Sequence, residues 1–240
     1  PECSVRWICD TSPERLATAA QEWGQARGSQ DLSEALADDS VDLVAIATPI
    51  ATHYALAKAA LEAGKHVLVE KPMTGDVAQA EELVALAEAK GLLLFVDHTY
   101  LFTSEVRYIK KALVGGDLGK LLYMDVVRIN LGLFQRDHDV VWDLAPHDMS
   151  IFLYLLGRLP KSVLATGAAH TESGLADVAM LHMDFGDGLV ANVHVSWLSP
   201  VKIRHTILAG RKQMLVYNDL NPAEKIHIYD RGIDVSPDAE

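Results

Sequence analysis

The 240-residue chain is poor in cysteine, in basic residues and in long hydrophobic runs. Its two cysteines, Cys3 and Cys9, lie six positions apart in one extended segment. Their backbones would be roughly 20 Å apart at about 3.3 Å per residue, which excludes a disulfide between them.

Lysine and arginine total 21 against 33 acidic residues, a net charge of −12, and an acidic surface repels nucleic-acid phosphates and anionic lipids. No apolar run approaches the roughly 18 residues of a spanning helix. We therefore expect a cytoplasmic chain with no nucleic-acid or membrane partner.

The first hundred residues alternate between short apolar runs and segments with helical periodicity. The runs cover 5–9, 41–47, 66–69 and 92–96, and the helical segments cover 12–23, 52–63 and 76–90. Runs that are apolar throughout suit strands covered on both faces, and regular strand–helix alternation indicates a parallel sheet with right-handed crossovers. The sequence predicts a doubly wound, Rossmann-type α/β domain over residues 1–97.

A different order of elements begins after residue 98. A helix (104–113), a long strand (121–130) and a second helix (144–156) are predicted first. Six strand-like segments then follow with no helix between them, at 162–169, 178–185, 190–197, 204–209, 214–217 and 226–229. This pattern predicts an α+β domain over 98–240 with a large, mostly antiparallel open sheet.

The glycine-rich loop that cradles a pyrophosphate is missing from its expected place. The one G-x-G-x-x-[GA] match, at 186–191, lies before a strand rather than a helix, so we interpret it as a hairpin. The chain is therefore expected to begin at the second strand of a dinucleotide fold. Two alternatives are open: the protein extends upstream to the first strand and its glycine loop, or this version does not cradle a pyrophosphate in the usual way.

Polar residues follow each apolar run of the first domain. Ligands bind at the carboxyl ends of strands in open α/β sheets, which singles out Asp10, the pair 48–49, the turn 70–72 and the pair 97–98. Asp10 stands where an acidic side chain would bond the adenosine ribose hydroxyls. Capping of the next helix is the alternative that its position leaves open.

Asp143 and His147 form a second candidate cluster. At a spacing of i and i+4 on a helix they share one face, with Cβ atoms roughly 6 Å apart. A carboxylate beside an imidazole orients the ring and stabilises its charged form, which is a general-base arrangement. The alternatives are that Asp143 is an N-cap and His147 a surface or core residue, or that the pair joins His53 or His98 at a metal. The metal reading is weaker because no second spaced ligand pair is present, and we expect no metal.

Three strings in this order, IATPIATH (46–53), AGKHVLVEKP (63–72) and Asp143-x-x-x-His147, resemble the glucose–fructose oxidoreductase/inositol dehydrogenase/MocA-like (Gfo/Idh/MocA) family. The resemblance extends over nearly the whole chain. It implies a two-domain NAD(P)-dependent oxidoreductase that transfers hydride between a nicotinamide cofactor and a hydroxyl or keto carbon of a sugar, cyclitol or nucleotide-linked sugar. It also implies that the family's C-terminal end lies outside this chain.

The same resemblance implies roles for individual residues. Lys71 would polarise the reacting oxygen, His147 would accept or donate the hydroxyl proton, and Asp143 would bind substrate and orient His147. Asp10 would bind ribose and favour NAD over NADP, because a 2′-phosphate would meet its negative charge. The family positions that line the cofactor crevice are matched by Thr48, Pro49, His53, Glu70 and Lys71.

Two other functions remain as alternatives. One is a non-catalytic relative that binds dinucleotide or sugar as a sensor; the presence of Lys71, Asp143 and His147 together argues against it, because a sensor needs no base. The other is an NAD-dependent glycoside hydrolase on the same scaffold. Substrate-facing candidates chosen by position alone, with a structural role as the alternative, are Tyr100, Arg128, Asn130 and Arg136. Family members usually associate through the open face of the second domain's sheet, which implies a homodimer or homotetramer.

Overall fold

The computed structural model describes residues 3–132 and 134–233. The chain divides into two units, Pro1–Asp97 and His98–Glu240. No helix within the described ranges combines the length and apolar character needed to cross a membrane.

The first unit alternates strands and helices. Its elements are β1 (Trp7–Cys9), α1 (Pro13–Glu22), β2 (Arg27–Ser29), α2 (Leu32–Leu36), β3 (Leu43–Ile46), α3 (Ile50–Glu62), β4 (His66–Glu70), α4 (Val77–Lys90) and β5 (Leu94–Asp97). All strand pairs are parallel, and they form two sheets, β1–β2 and β3–β4–β5. The four predicted strands and three predicted helices are confirmed. Strand β2 and helix α2 were not predicted, because RGS has no apolar run and LSEAL is too short to show a helical period.

Local sequence sets the ends of these helices. Ser12 caps α1 by accepting a hydrogen bond from the Arg15 amide, with Pro13 in the first turn, where its missing N–H costs nothing. Asp76 caps α4 in the same way through the Gln79 amide, and Gly91 ends that helix in a left-handed conformation at φ 65°, which glycine adopts without steric penalty. The caps satisfy backbone groups that the helix itself leaves unpaired.

The core of the first unit lies between the three-stranded sheet and its helices. Ala57, Ala60 and Leu61 on α3 are fully buried, as are Val67 and Val69 on β4. This packing fixes β4 against the C-terminal half of α3.

The second unit contains a seven-stranded sheet and two long helices. A 3₁₀ turn (Thr99–Phe102) precedes α5 (Ser104–Gly115), β6 (Leu121–Leu131) and α6 (Val140–Leu156). The remaining strands are β7 (Ser162–Ala168), β8 (Val178–Gly186), β9 (Leu189–Ser196), β10 (Leu198–Gly210), β11 (Met214–Asn218) and β12 (Ile226–Tyr229). Their order is β12-β11-β10-β6-β9-β8-β7, and every pair is antiparallel except β6–β9. The predicted α+β unit with its mostly antiparallel sheet is confirmed.

Two details of this unit decide questions left open by the sequence. Helix α6 begins at Val140 rather than near residue 144, because Asp139 is its N-cap and accepts hydrogen bonds from the amides of Val141 and Trp142. Asp143 is therefore inside the first turn and is not a cap. The glycine match at 186–191 is the β8–β9 hairpin, as predicted: Gly186, Asp187 and Gly188 have φ values of 77°, 53° and 84°, which a hairpin turn requires.

Candidate active site

The carboxyl ends of β3, β4 and β5 lie at one edge of their sheet. The parallel register pairs Ile46 with Val69 and Val69 with Val96, and it places Glu70 opposite Asp97. The segment 48–49 that follows β3 and the turn 70–72 that ends β4 therefore leave the sheet on the same side. This is the side on which ligands bind in open α/β folds.

Asp10 follows β1 and is held by the first turn of α1. Its carboxylate forms a two-point ion pair with the Arg15 guanidinium, with both N···O distances at 2.6 Å, and it accepts a further bond from the Ser12 amide at 2.8 Å. The bond from Arg15, aided by that from Ser12, lowers the pKa of Asp10 to about 2. Asp10 is thus ionised at neutral pH, and the helix cap that was its alternative role belongs to Ser12.

Thr48 and Pro49 lead from β3 into α3. The Thr48 hydroxyl lies 2.7 Å from the Thr52 hydroxyl, and Thr52 also donates to the Pro49 carbonyl. These contacts tie the segment after β3 to the first turn of α3, so its backbone is held by the helix.

His53 lies in the protein interior, in the second turn of α3. It is 1% exposed, and both ring nitrogens face backbone carbonyl oxygens: Nδ1 lies 2.9 Å from that of Pro72 and Nε2 lies 2.7 Å from that of Thr48. The ring therefore contacts the backbone behind both segments that line the sheet edge.

Lys71 stands in the turn that ends β4. Its amide donates to the Glu70 carboxylate at 3.2 Å, and the Lys71–Pro72 peptide bond is cis. The side chains of Glu70 and Lys71 are half-buried, whereas Pro72 is buried. The Pro72 carbonyl oxygen of this turn lies 2.9 Å from Nδ1 of His53.

Asp143 and His147 lie one turn apart on α6 in the second unit. The Asp143 carboxylate accepts a hydrogen bond from the indole N–H of Trp197 at 3.0 Å, and Trp197 is almost fully buried. The His147 ring makes an edge contact with the Tyr100 ring, with centroids 5.0 Å apart and planes at 72°. Both members of the pair are thus fixed by aromatic side chains from other elements.

Tyr100 joins His147 to a network of charges that sequence reasoning did not find. The Arg128 guanidinium lies 5.0 Å from the Tyr100 ring centroid, and the Tyr100 hydroxyl accepts from Arg204 at 2.8 Å and donates to Asp219 at 3.1 Å. Burial raises the pKa of Asp219, but its bonds with Arg204 and Tyr100 outweigh burial, and the net shift is downward. Among the four substrate-facing candidates, Tyr100 and Arg128 are thus network residues.

The Arg128–Asp148 ion pair is the most deeply buried part of this network. Its two N···O distances are 2.7 and 2.8 Å, and the two side chains are 7% and 1% exposed. Burial lowers the pKa of Arg128, yet the hydrogen bonds that its guanidinium donates to Asp148 outweigh burial, and the net shift is upward. Asp148 follows His147 directly in the chain. Its partner Arg128 lies on β6, and the packing of α6 against β6 brings the two side chains together. Of the other two candidates, Asn130 is half-buried and Arg136 is exposed.

Residues 1–98 match the family model of the oxidoreductases with an NAD-binding Rossmann fold, and residues 106–216 match the GFO/IDH/MocA C-terminal domain. The chain belongs to the GFO/IDH/MocA oxidoreductase family. Its predicted family, its fold and its cofactor NAD are thereby confirmed, and its first unit is the NAD-binding Rossmann domain of this family.

Curated relatives and solved structures agree with this assignment. UDP-N-acetylglucosamine 3-dehydrogenase of Acidithiobacillus ferrooxidans is 32% identical over 233 residues, which cover 96% of this chain and 71% of that protein. Its crystal structure matches with a TM-score of 0.80 over 93% of this chain and 71% of that one. 4-Carboxy-2-hydroxymuconate-6-semialdehyde dehydrogenase of Sphingobium is 32% identical over 79% of this chain, which spans 63% of that relative's length. The WlbA dehydrogenase of Bordetella pertussis, at 23% identity, shares the fold with a TM-score of 0.87, over 95% of this chain and 73% of that one.

The described residues of the first unit fit a nicotinamide dinucleotide. A carboxylate has about four lone-pair positions, and the bonds from Arg15 and Ser12 use three of those on Asp10, two on Oδ1 and one on Oδ2. Oδ2 keeps one position with which it can accept a ribose hydroxyl. Thr48, Pro49, Glu70 and Lys71 lie at the carboxyl ends of the next parallel strands, where the rest of a dinucleotide lies in this fold.

Proposed function

We propose that this protein is an NAD-dependent dehydrogenase that oxidises a secondary hydroxyl of a sugar-like substrate, with a nucleotide-linked sugar as the favoured class. The observation that carries the proposal is the presence, in one chain of this family, of an ammonium at the end of β4 and a carboxylate–imidazole pair on α6. The choice of a nucleotide-linked sugar rests on the 32% identity, over nearly the whole chain, to a dehydrogenase named for UDP-N-acetylglucosamine.

The three side chains have separate chemical tasks in this proposal. Bound NAD supplies the acceptor for the hydride that leaves the carbinol carbon. His147 acts as the general base: it takes the hydroxyl proton as the hydride leaves. Lys71 donates a hydrogen bond to the substrate oxygen and stabilises the negative charge that develops on it. Asp143, anchored by Trp197, orients His147 and binds substrate.

Asp10 supports a preference for NAD over NADP. Its ionised carboxylate can accept a ribose hydroxyl but repels a 2′-phosphate. Arg15 is engaged with both carboxylate oxygens, so its charge is directed toward Asp10 rather than toward the cofactor. The adenosine end of the site therefore favours the cofactor without the phosphate.

Nucleotide reduction with a substrate panel tests the proposal. The panel consists of UDP-N-acetylglucosamine, its uronic acid, scyllo-inositol and D-apiose, with NAD and NADP in parallel. We expect NADH to form with a UDP-linked sugar, and we expect Lys71→Ala and His147→Ala each to reduce turnover by about 10²-fold or more with near-normal folding. Binding without NADH formation would indicate a sensor, and sugar release without net NADH would indicate a glycoside hydrolase.

We further propose that a second copy of the chain covers the open face of the seven-stranded sheet. Along β8 the side chains alternate, with Ala179, Leu181 and Met183 on the core side and the exposed Met180 on the open side. Sedimentation velocity should show a dimer or tetramer that Met180→Lys weakens, whereas Val114→Lys on α5 should not weaken it. A monomeric wild-type protein would refute this.

Because Cys3 and Cys9 are both free thiols, we place the protein in the cytoplasm.

A further inference from the structure

His53 joins the two backbone segments that form the sheet edge of the first unit. Its sequence position suggests a residue that lines the cofactor crevice, yet its ring is 1% exposed and both ring nitrogens face carbonyl oxygens. We propose that His53 is a positioning residue that holds the Lys71 turn in place through the Pro72 carbonyl. The inference rests on the proposed function, in which Lys71 bonds the reacting oxygen.

The donors and acceptors at His53 define what the ring can hold. A carbonyl oxygen only accepts, so each contact is a hydrogen bond when the ring nitrogen that faces it carries a proton. The bond from Nδ1 fixes the carbonyl of Pro72, the residue after Lys71, at 2.9 Å. A neutral imidazole carries only one N–H. Nε2 lies 2.7 Å from the carbonyl of Thr48, in the segment after β3, and donates to it only when both ring nitrogens carry a proton.

Both carbonyls belong to segments that lie beyond the hydrogen-bonded part of the sheet. The β3–β4 ladder runs to the Ile46–Val69 pair, so Thr48 and the turn 70–72 both lie beyond it. The His53 ring contacts both segments, so it links the loops beyond the ladder to helix α3.

The ring is itself held by a rigid frame. His53 lies on α3, whose Ala57, Ala60 and Leu61 are fully buried against β4. The helix and the strand therefore fix both ends of the path from His53 to Lys71. A displacement of reacting groups by about 1 Å can cost about 10²-fold in rate, so the loss of the Pro72 bond should appear in catalysis.

Two substitutions at His53 separate the two bonds. The side-chain nitrogen of asparagine is attached to Cγ, like Nδ1 of histidine, and that of glutamine lies one bond further out, like Nε2. His53→Asn therefore retains a donor toward Pro72, and His53→Gln retains one toward Thr48. Each variant loses one of the two contacts, so a merely structural role predicts similar effects for the two.

The first readout does not depend on activity. In the full chain labelled with ¹⁵N-lysine, and with the Lys71 amide resonance assigned through Lys71→Arg, we expect His53→Gln to displace that resonance and His53→Asn to leave it near its wild-type position. Equal displacement in both variants, or none in either, would overturn the inference. If the glutamine variant does not fold, ¹⁵N-histidine labelling of the wild-type chain decides instead. A protected Nδ1–H resonance of His53 supports the tie, and an unprotonated Nδ1 overturns it.

Kinetics provide the second readout. We expect His53→Gln to lower kcat about tenfold or more below the value for His53→Asn, with the larger change in cofactor KM in the asparagine variant. Lys71→Ala is measured in parallel. If Lys71→Ala keeps wild-type turnover, the proposed role of Lys71 fails, and the amide comparison alone then decides the role of His53. If Lys71→Ala is inactive while the two His53 variants have equal kcat, the positioning role fails and the proposed function stands.

Discussion

Asp148→Ala would leave the Arg128 guanidinium in the protein interior without its carboxylate. The two side chains are 7% and 1% exposed, and two hydrogen bonds of 2.7 and 2.8 Å join them. Solvent therefore cannot replace the lost partner. Removal of one member of a buried ion pair typically costs about 3–5 kcal/mol, because the remaining charge stays buried and uncompensated. We expect the free energy of unfolding of the second unit to fall by about that amount.

Two further variants separate the cost of an unpaired charge from the value of the pair. Asp148→Asn keeps the shape and one acceptor for the guanidinium but removes the charge, so its loss should be smaller. Arg128→Met combined with Asp148→Leu removes both charges and should recover most of the stability, since well-packed apolar replacements of buried ion pairs are often neutral or stabilising.

The measurement is urea unfolding followed by tryptophan fluorescence. Replacement of Trp7 and Trp23 by phenylalanine leaves Trp142 and Trp197, both in the second unit, as reporters of that unit in every variant compared. A loss below about 1 kcal/mol for Asp148→Ala, which is the range of exposed pairs, would refute the reasoning. So would a double variant less stable than the single one.

Three further predictions concern Asp10 and Arg15 in the first unit and Trp197 in the second. Asp10→Ser should raise the affinity for NADPH relative to NADH, measured by fluorescence titration, because the repelling carboxylate is removed; an unchanged ratio would contradict the ribose-binding role. Arg15→Gln should raise the pKa of Asp10 from about 2 toward the ordinary value of about 3.9. The carboxyl ¹³C chemical shift of Asp10, titrated against pH, measures this change. The wild-type pair therefore stabilises the folded state above about pH 4 and loses that contribution as the pH falls toward 2. Trp197→Phe removes the donor to Asp143 and should lower kcat about tenfold with the fold intact by circular dichroism, since a bond to a charged group contributes about 1.5–3 kcal/mol; wild-type turnover would count against an anchoring role.

Most of the fold follows from local sequence patterns. The apolar runs at 66–69 and 92–96 predicted β4 and β5, because strands buried on both faces are apolar at every position. Strand β2 escaped prediction because Arg27–Ser29 is stabilised by pairing with β1, not by an apolar sequence of its own. The start of α6 was placed too late because Asp139, its cap, lies among other acidic and basic residues that carry no helical period.

The candidate site was predictable to the extent that it is local. The turn at Lys71 and the spacing of Asp143 and His147 are visible in the sequence, since each depends on neighbours within five positions. The contact of His53 with the Pro72 carbonyl and the Arg128–Asp148 pair join residues 19 and 20 positions apart. Such pairs depend on strand register and helix placement, and no sequence spacing encodes them.

A double-mutant cycle on Lys71 and His147 tests most directly whether an ammonium and an imidazole from the two units serve one reaction. The quantity measured is kcat/KM for NADH formation with the best substrate of the panel, for Lys71→Ala, His147→Ala and the double variant. Groups that act together in one transition state are strongly non-additive. We expect each single variant to lose about 10²-fold and the double variant to lose little more than the worse single one. A double variant that loses the full product of the two, or a single variant that keeps wild-type turnover, would contradict the account.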